Sequence, residues 1–111
     1  MKHILFSIRK TLLIILFLTQ YSSVAQTLFI NEFMASNSST ISDPDFNNYA
    51  DWIEIYNSGS TSINLKDYYI TDNLSQPQKY KIQNDLIIEA GDYVLIWADD
   101  ANTGNHTNFK I

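Results

Sequence analysis

The sequence predicts an all-β chain, an antiparallel β-sandwich, on three observations. Apolar and polar residues alternate over short runs such as 53–57 (IEIYN) and 80–82 (YKI), a period that buries one face of a strand. Turn chemistry recurs between these runs every ~8–12 residues, the spacing of a sandwich built from short strands. No window past the N-terminal segment carries the apolar period of a useful helix.

That N-terminal segment stands apart. It opens MKHILFSIRK, with Lys2, Arg9 and Lys10, continues as the uncharged run TLLIILFL, and leaves through Ser23-Val24-Ala25. A basic start, a short apolar centre and a small-x-small exit describe a secretory signal peptide, so residues 1–25 read as a leader cleaved after Ala25. The alternative is a membrane anchor, but the apolar run is well short of the ~20 residues that a spanning helix needs. The mature chain then begins at Gln26, and its 86 residues, 26–111, suffice for one domain.

Cleavage changes the charge. All twelve Asp and Glu lie after Ala25, against four lysines, Lys66, Lys79, Lys81 and Lys110, so the net charge moves from −5 to −8. A surface with this balance and scattered lysines is repelled by phosphate, which excludes nucleic acid and disfavours anionic membrane. The chain has no cysteine. A small exported domain without disulfides depends on packing, a metal, a partner or the rest of a longer chain.

Along the mature chain, 28–33 (LFINEF) reads as the first strand and 34–49 (MASNSSTISDPDFNNY) as a long loop, since Asn, Ser and Asp bond their own backbone in competition with sheet. Residues 51–57 form a strand with Ile53 and Ile55 on the core face and Trp52, Glu54 and Tyr56 opposite. Asn57 and Gly59 shape the next turn, and Ile63 and Leu65 return to the core. Residues 68–71 (YYIT) are a short strand with Tyr68 and Tyr69 on opposite faces. Tyr80 and Ile82 share a face, and 86–89 leads into the Ala90-Gly91-Asp92 turn. The most apolar run, 93–98 (YVLIWA), reads as a central strand buried on both faces. After a polar loop, 108–111 starts another strand. Ile53, Ile55, Val94 and Ile96 are the expected core, with Glu54 and Asp92 accessible.

In this order and spacing, INEFMASN, DWIEIYNSG, INLKDYYITDN, IEAGDYVLIWADD and HTNFKI resemble a lamin tail domain of the bacterial secreted type, over residues 28–111. The resemblance implies an immunoglobulin-like β-sandwich that tethers or adheres, often beside hydrolase, nuclease or kinase-like domains in exported proteins. Its motifs concern packing and turns, so the fold is implied more strongly than any activity. Members continue past the equivalent of NFKI, and the sandwich is therefore expected to be incomplete at Ile111, the chain being a fragment of a longer protein.

Candidate chemistry is sparse. Glu32 and Glu54 are the pair a glycosidase reading would use, but exposed strand carboxylates are common. His106 is the only candidate base after cleavage, has no cysteine or nucleophile elbow to serve, and reads as a surface loop histidine. Trp97 reads as core, and Trp52, on the polar face, as the better sugar-stacking ring. The sharpest constellation is Asp43, Asp45, Asn47, Asp51 and Glu54, oxygen donors at positions 1, 3, 5, 9 and 12 of a twelve-residue loop with the Tyr49 carbonyl at position 7. That is the calcium spacing of an EF-hand, although Asn48 replaces the usual glycine and the flanks are not helical. The same residues also suit a loop that caps its own turns.

The reading is a non-catalytic exported β-sandwich for adhesion or tethering, without cofactor, whose partner is a protein or cell-surface polysaccharide. The alternatives are a calcium- or carbohydrate-binding module and an accessory domain of a larger secreted hydrolase or kinase-like enzyme.

Overall fold

A computed structural model describes residues 27–111, so the leader assigned to 1–25 lies outside the described residues. Seven strands follow one another with no helix among the described residues: β1 (Leu28–Met34), β2 (Trp52–Asn57), β3 (Ile63–Asn64), β4 (Tyr69–Ile70), β5 (Tyr80–Lys81), β6 (Ile87–Ile88) and β7 (Tyr93–Trp97).

Alternation in β2 decides the layering. β2 lies between β1 and β7 in an antiparallel sheet, with Ile53 opposite Phe33 and Ile96, and Ile55 opposite Ile30 and Val94. The β1–β2 register shifts between Ile30 and Glu32, a bulge that interrupts an otherwise regular edge. Two short antiparallel ladders, β3–β6 and β4–β5, complete the fold. Ile53, Ile55 and Ile96 from the sheet pack with Leu65, Tyr80, Ile82, Ile88 and Phe109 into one apolar cluster. This is the core of a sandwich, formed where each strand turns its apolar face inward.

Asn57 joins the layers at the end of β2. It is fully buried, and its Nδ2 donates to the carbonyls of Thr61 (2.8 Å), Ile88 (3.1 Å) and Glu89 (3.2 Å). Its Oδ1 accepts the Gly59 N–H at 2.9 Å. A Cβ on Gly59 would stand 3.0 Å from that Oδ1 and 3.3 Å from the Thr27 Cβ, so the turn needs glycine for clearance.

Several expectations are corrected. The central strand is β2, whereas β7 lies at the edge of its sheet. Tyr93 is 58% exposed and Val94 only half-buried, and burial is complete only from Ile96 to Ala98. An unbroken apolar run does not distinguish a central strand from an edge strand whose far end is covered by a loop. The covering segment is 105–107: Trp97 donates to the Asn105 carbonyl and Thr107 to the Trp97 carbonyl. Residues 108–111 form no strand. A bridge between Asp99 and Lys110 and a bond from the Asn108 amide to the Lys79 carbonyl hold them, and Phe109 is buried beneath Lys79. The 68–71 strand contracts to Tyr69–Ile70, and both tyrosines are exposed.

Candidate functional site

Three loop segments build a polar cluster beside Trp97. The first is the acidic loop after β1. The Asp43 Oδ1 accepts the Asp45 N–H at 2.9 Å, its carbonyl accepts the Asn47 N–H, and its own N–H donates to the Asn48 carbonyl. These bonds close a tight turn in which Asn47 takes a left-handed φ of 52°, a conformation that asparagine tolerates. The second segment continues β7 past Ala98, where the Asp99 Oδ1 accepts the Ala101 N–H at 3.1 Å. The third is the turn closed by reciprocal bonds between Thr103 and His106. Parallel bridging of His106 to Trp97 then sets its ring beside Asp99.

His106 is 2% exposed, so its reading as a surface histidine is overturned. Its Nδ1 lies 2.9 Å from the Asp99 Oδ2 and 3.8 Å from the Asp43 Oδ2, while its Nε2 lies 3.1 Å from the Asp45 Oδ2. Phe46 meets the imidazole edge-on at 4.8 Å, and Trp97 stacks at 6.5 Å between centroids. Burial opposes a charge on the ring. Hydrogen bonds to Asp45 and Asp99 and the charges of Asp99 and Asp43 outweigh it, so the His106 pKa is raised above its ordinary 6.5. Both ring nitrogens are engaged by carboxylates, an arrangement that retains a cation rather than presenting a base to a substrate.

Of the five EF-hand positions, the fold brings only Asp43 and Asp45 to this cluster. The Asp51 Oδ1 accepts the Asn37 N–H at 2.7 Å, and the Glu54 Oε1 accepts the Asn31 amide at 2.6 Å. Asn47 shapes the turn, and the left-handed residue is Asn47 rather than Asn48. Asp51 and Glu54 are therefore committed to partners outside the cluster. Trp52 is 3% exposed and opposite Trp97 in register, so its reading as an open stacking ring is also corrected. The two rings lie on the same face of the sheet at this end, and both are buried. Glu32 and Glu54 do stand opposite one another across β1 and β2, on a half-open face. Sequence reasoning missed Asp99, although an acid-rich loop directly after an apolar strand, seven residues before His106, is the signal for it.

The model of the lamin tail domain family matches residues 21–111. The chain belongs to that family. No curated protein and no solved structure matches it. Membership makes the antiparallel layers described above an immunoglobulin-like sandwich, in a family of non-catalytic modules.

A second surface of this lamin tail domain is apolar. Phe29, Ile30, Tyr68, Tyr69 and Ile70 line a cleft of about 360 Å³ whose floor includes Ile55 and Ile82. Ile30 and Phe33 on β1, in register with the core residues Ile55 and Ile53, are 67% and 66% exposed, so the core-side face of this edge strand is apolar and uncovered among the described residues.

Proposed function

We propose that this lamin tail domain is a non-catalytic exported module that tethers through the apolar surface of β1 around Phe29, Ile30 and Phe33. The carrying observation is the apolar surface of that strand: Phe29, Ile30 and Phe33 exposed, with Tyr68 and Tyr69 across the cleft. An edge strand offers backbone donors and acceptors to a partner strand, and neighbouring clefts receive alternate side chains of that partner. A protein segment fits this mode best. A cell-surface polysaccharide would use the tyrosine rings instead. Export rests on the basic start, the short apolar centre and the Ser23-Val24-Ala25 exit.

Retention of the purified protein on isolated cell envelopes tests the reading, with and without protease treatment of the envelopes. Wild-type protein should be retained on untreated envelopes and released by Ile30→Asp, a change at an exposed position that leaves the core intact. Loss of retention after protease treatment identifies a protein partner. Equal retention of the Ile30→Asp variant would refute tethering through β1.

A further inference from the structure

We infer that Asp43, Asp99 and His106 form a binding site for one first-row divalent cation of the zinc class, distinct from the β1 surface. Among the described residues these three side chains place one potential ligand atom each within 4.8 Å of the others. The Asp43 carboxylate is wholly buried, and its Oδ2, aimed into the cluster 3.8 Å from the His106 Nδ1, makes no hydrogen bond. The imidazole at 3.8 Å is too far to hydrogen-bond it, so this buried oxygen lacks a close polar partner, which a bound cation would supply.

The remaining atoms of each ligand are already tied down. The Asp43 Oδ1 is held by the Asp45 N–H, the Asp99 Oδ1 by the Ala101 N–H, and the His106 Nε2 by the Asp45 Oδ2. Asp43 Oδ2, Asp99 Oδ2 and His106 Nδ1 face one another, the last two sharing a 2.9 Å hydrogen bond whose proton the metal would displace. Donors ~2.0–2.2 Å from a tetrahedral zinc stand roughly 3.3 Å apart. The two distances to the imidazole, 2.9 Å and 3.8 Å, bracket that separation, and all three donors lie within 4.8 Å of one another, so the carboxylates must draw in around the ion. The Asp45–His106 contact supplies the carboxylate that orients a metal-bound imidazole through its other nitrogen.

The donor set selects the ion class. One imidazole and two carboxylates suit zinc and its first-row neighbours, whereas calcium seeks six to eight oxygens and no nitrogen. A dication also balances the two carboxylate ligands. Entry is available, because a cleft of about 390 Å³ between the 46–51 and 98–101 segments reaches Asp99.

Titration of the untagged full chain, stripped with chelator and then exchanged into plain buffer, tests the site with Zn²⁺ alone. Calorimetry should give one equivalent of saturable binding, and Zn²⁺ should raise the melting temperature where equal Ca²⁺ does not. Asp43→Asn preserves the bond from the Asp45 N–H, so it should fold yet lose the metal-dependent rise. Asp45→Asn should weaken binding about 10–100-fold by loosening the imidazole. Absence of saturable Zn²⁺ binding overturns the site, as does unchanged affinity in Asp43→Asn or a preference for Ca²⁺. Should the Asn variant not fold, X-ray absorption of the zinc-loaded wild type decides. One nitrogen with oxygens at ~2.0–2.2 Å supports the site, and an all-oxygen shell refutes it.

Discussion

Replacing Asn57 tests whether one buried amide holds the layers together. The Asn57 side chain is fully buried, and its two N–H groups serve three carbonyls, from Thr61, Ile88 and Glu89. Its oxygen accepts the Gly59 N–H. Two donors and one acceptor, at about 1 kcal/mol each, make Asn57→Ala cost about 3 kcal/mol. Against roughly 8 kcal/mol for a domain of this length at ~0.1 kcal/mol per residue, that is over a third of the stability. Asn57→Asp keeps the shape but turns an acceptor toward those carbonyls, and an uncompensated buried charge costs about 3–5 kcal/mol. The introduced carboxyl must therefore have a folded-state pKa above its unfolded value of about 3.9. Its stability relative to wild type should be best below that unfolded value and fall as pH rises through the folded pKa. Urea denaturation at pH 7 and at pH 4, for wild type and both variants, reads the difference. An Asp variant within about 1 kcal/mol of wild type at pH 7 would refute the role assigned to this amide.

Three further outcomes are expected. Ile96→Ala, at a fully buried position, should cost about 2–4 kcal/mol by urea midpoint, and Ile30→Ala, at a residue 67% exposed, less than about 0.5 kcal/mol. Gly91→Ala should cost about 1–2 kcal/mol from backbone strain alone, because φ is +78° and an added Cβ meets nothing within 4 Å; thermal melts would show it. N-terminal sequencing of protein from the medium or envelope should begin at Gln26, and an intact Met1 in the membrane fraction would show an anchor instead.

Most of the fold was legible because strand physics is local. The two-residue period at Ile53 and Ile55 names the core face directly, and Leu65, Tyr80 and Ile82 follow by the same rule. Asn57 and Gly59 were legible as turn residues. The further work of Asn57, reaching Ile88 and Glu89, was not, because it joins residues thirty or more apart. Strand order failed where periodicity is silent: 93–98 is apolar whether a strand or the 105–107 loop covers its end. Trp52 failed for a related reason. Alternation assigns it to the polar face, yet that face is closed locally by its register partner Trp97.

The polar cluster was half legible, and the missing half lies far away in sequence. Asp43 and Asp45 stood out through spacing within one loop, which led to a calcium reading that enlisted Asp51 and Glu54, their nearest acidic neighbours in sequence. In the folded chain those two are at the start of β2 and on it, drawn away by Asn37 and Asn31. The partners that Asp43 and Asp45 meet are fifty or more residues later, at Asp99 and His106. What brings them together is mainly backbone pairing of 105–107 with the end of β7, which no side-chain motif encodes, joined by one side-chain bond from Asn105 to the Leu95 carbonyl. A loop motif reports only ligands from one segment. This cluster draws on three, so the donor set proposed here is mixed nitrogen and oxygen instead of all-oxygen, and the ion proposed for it differs accordingly.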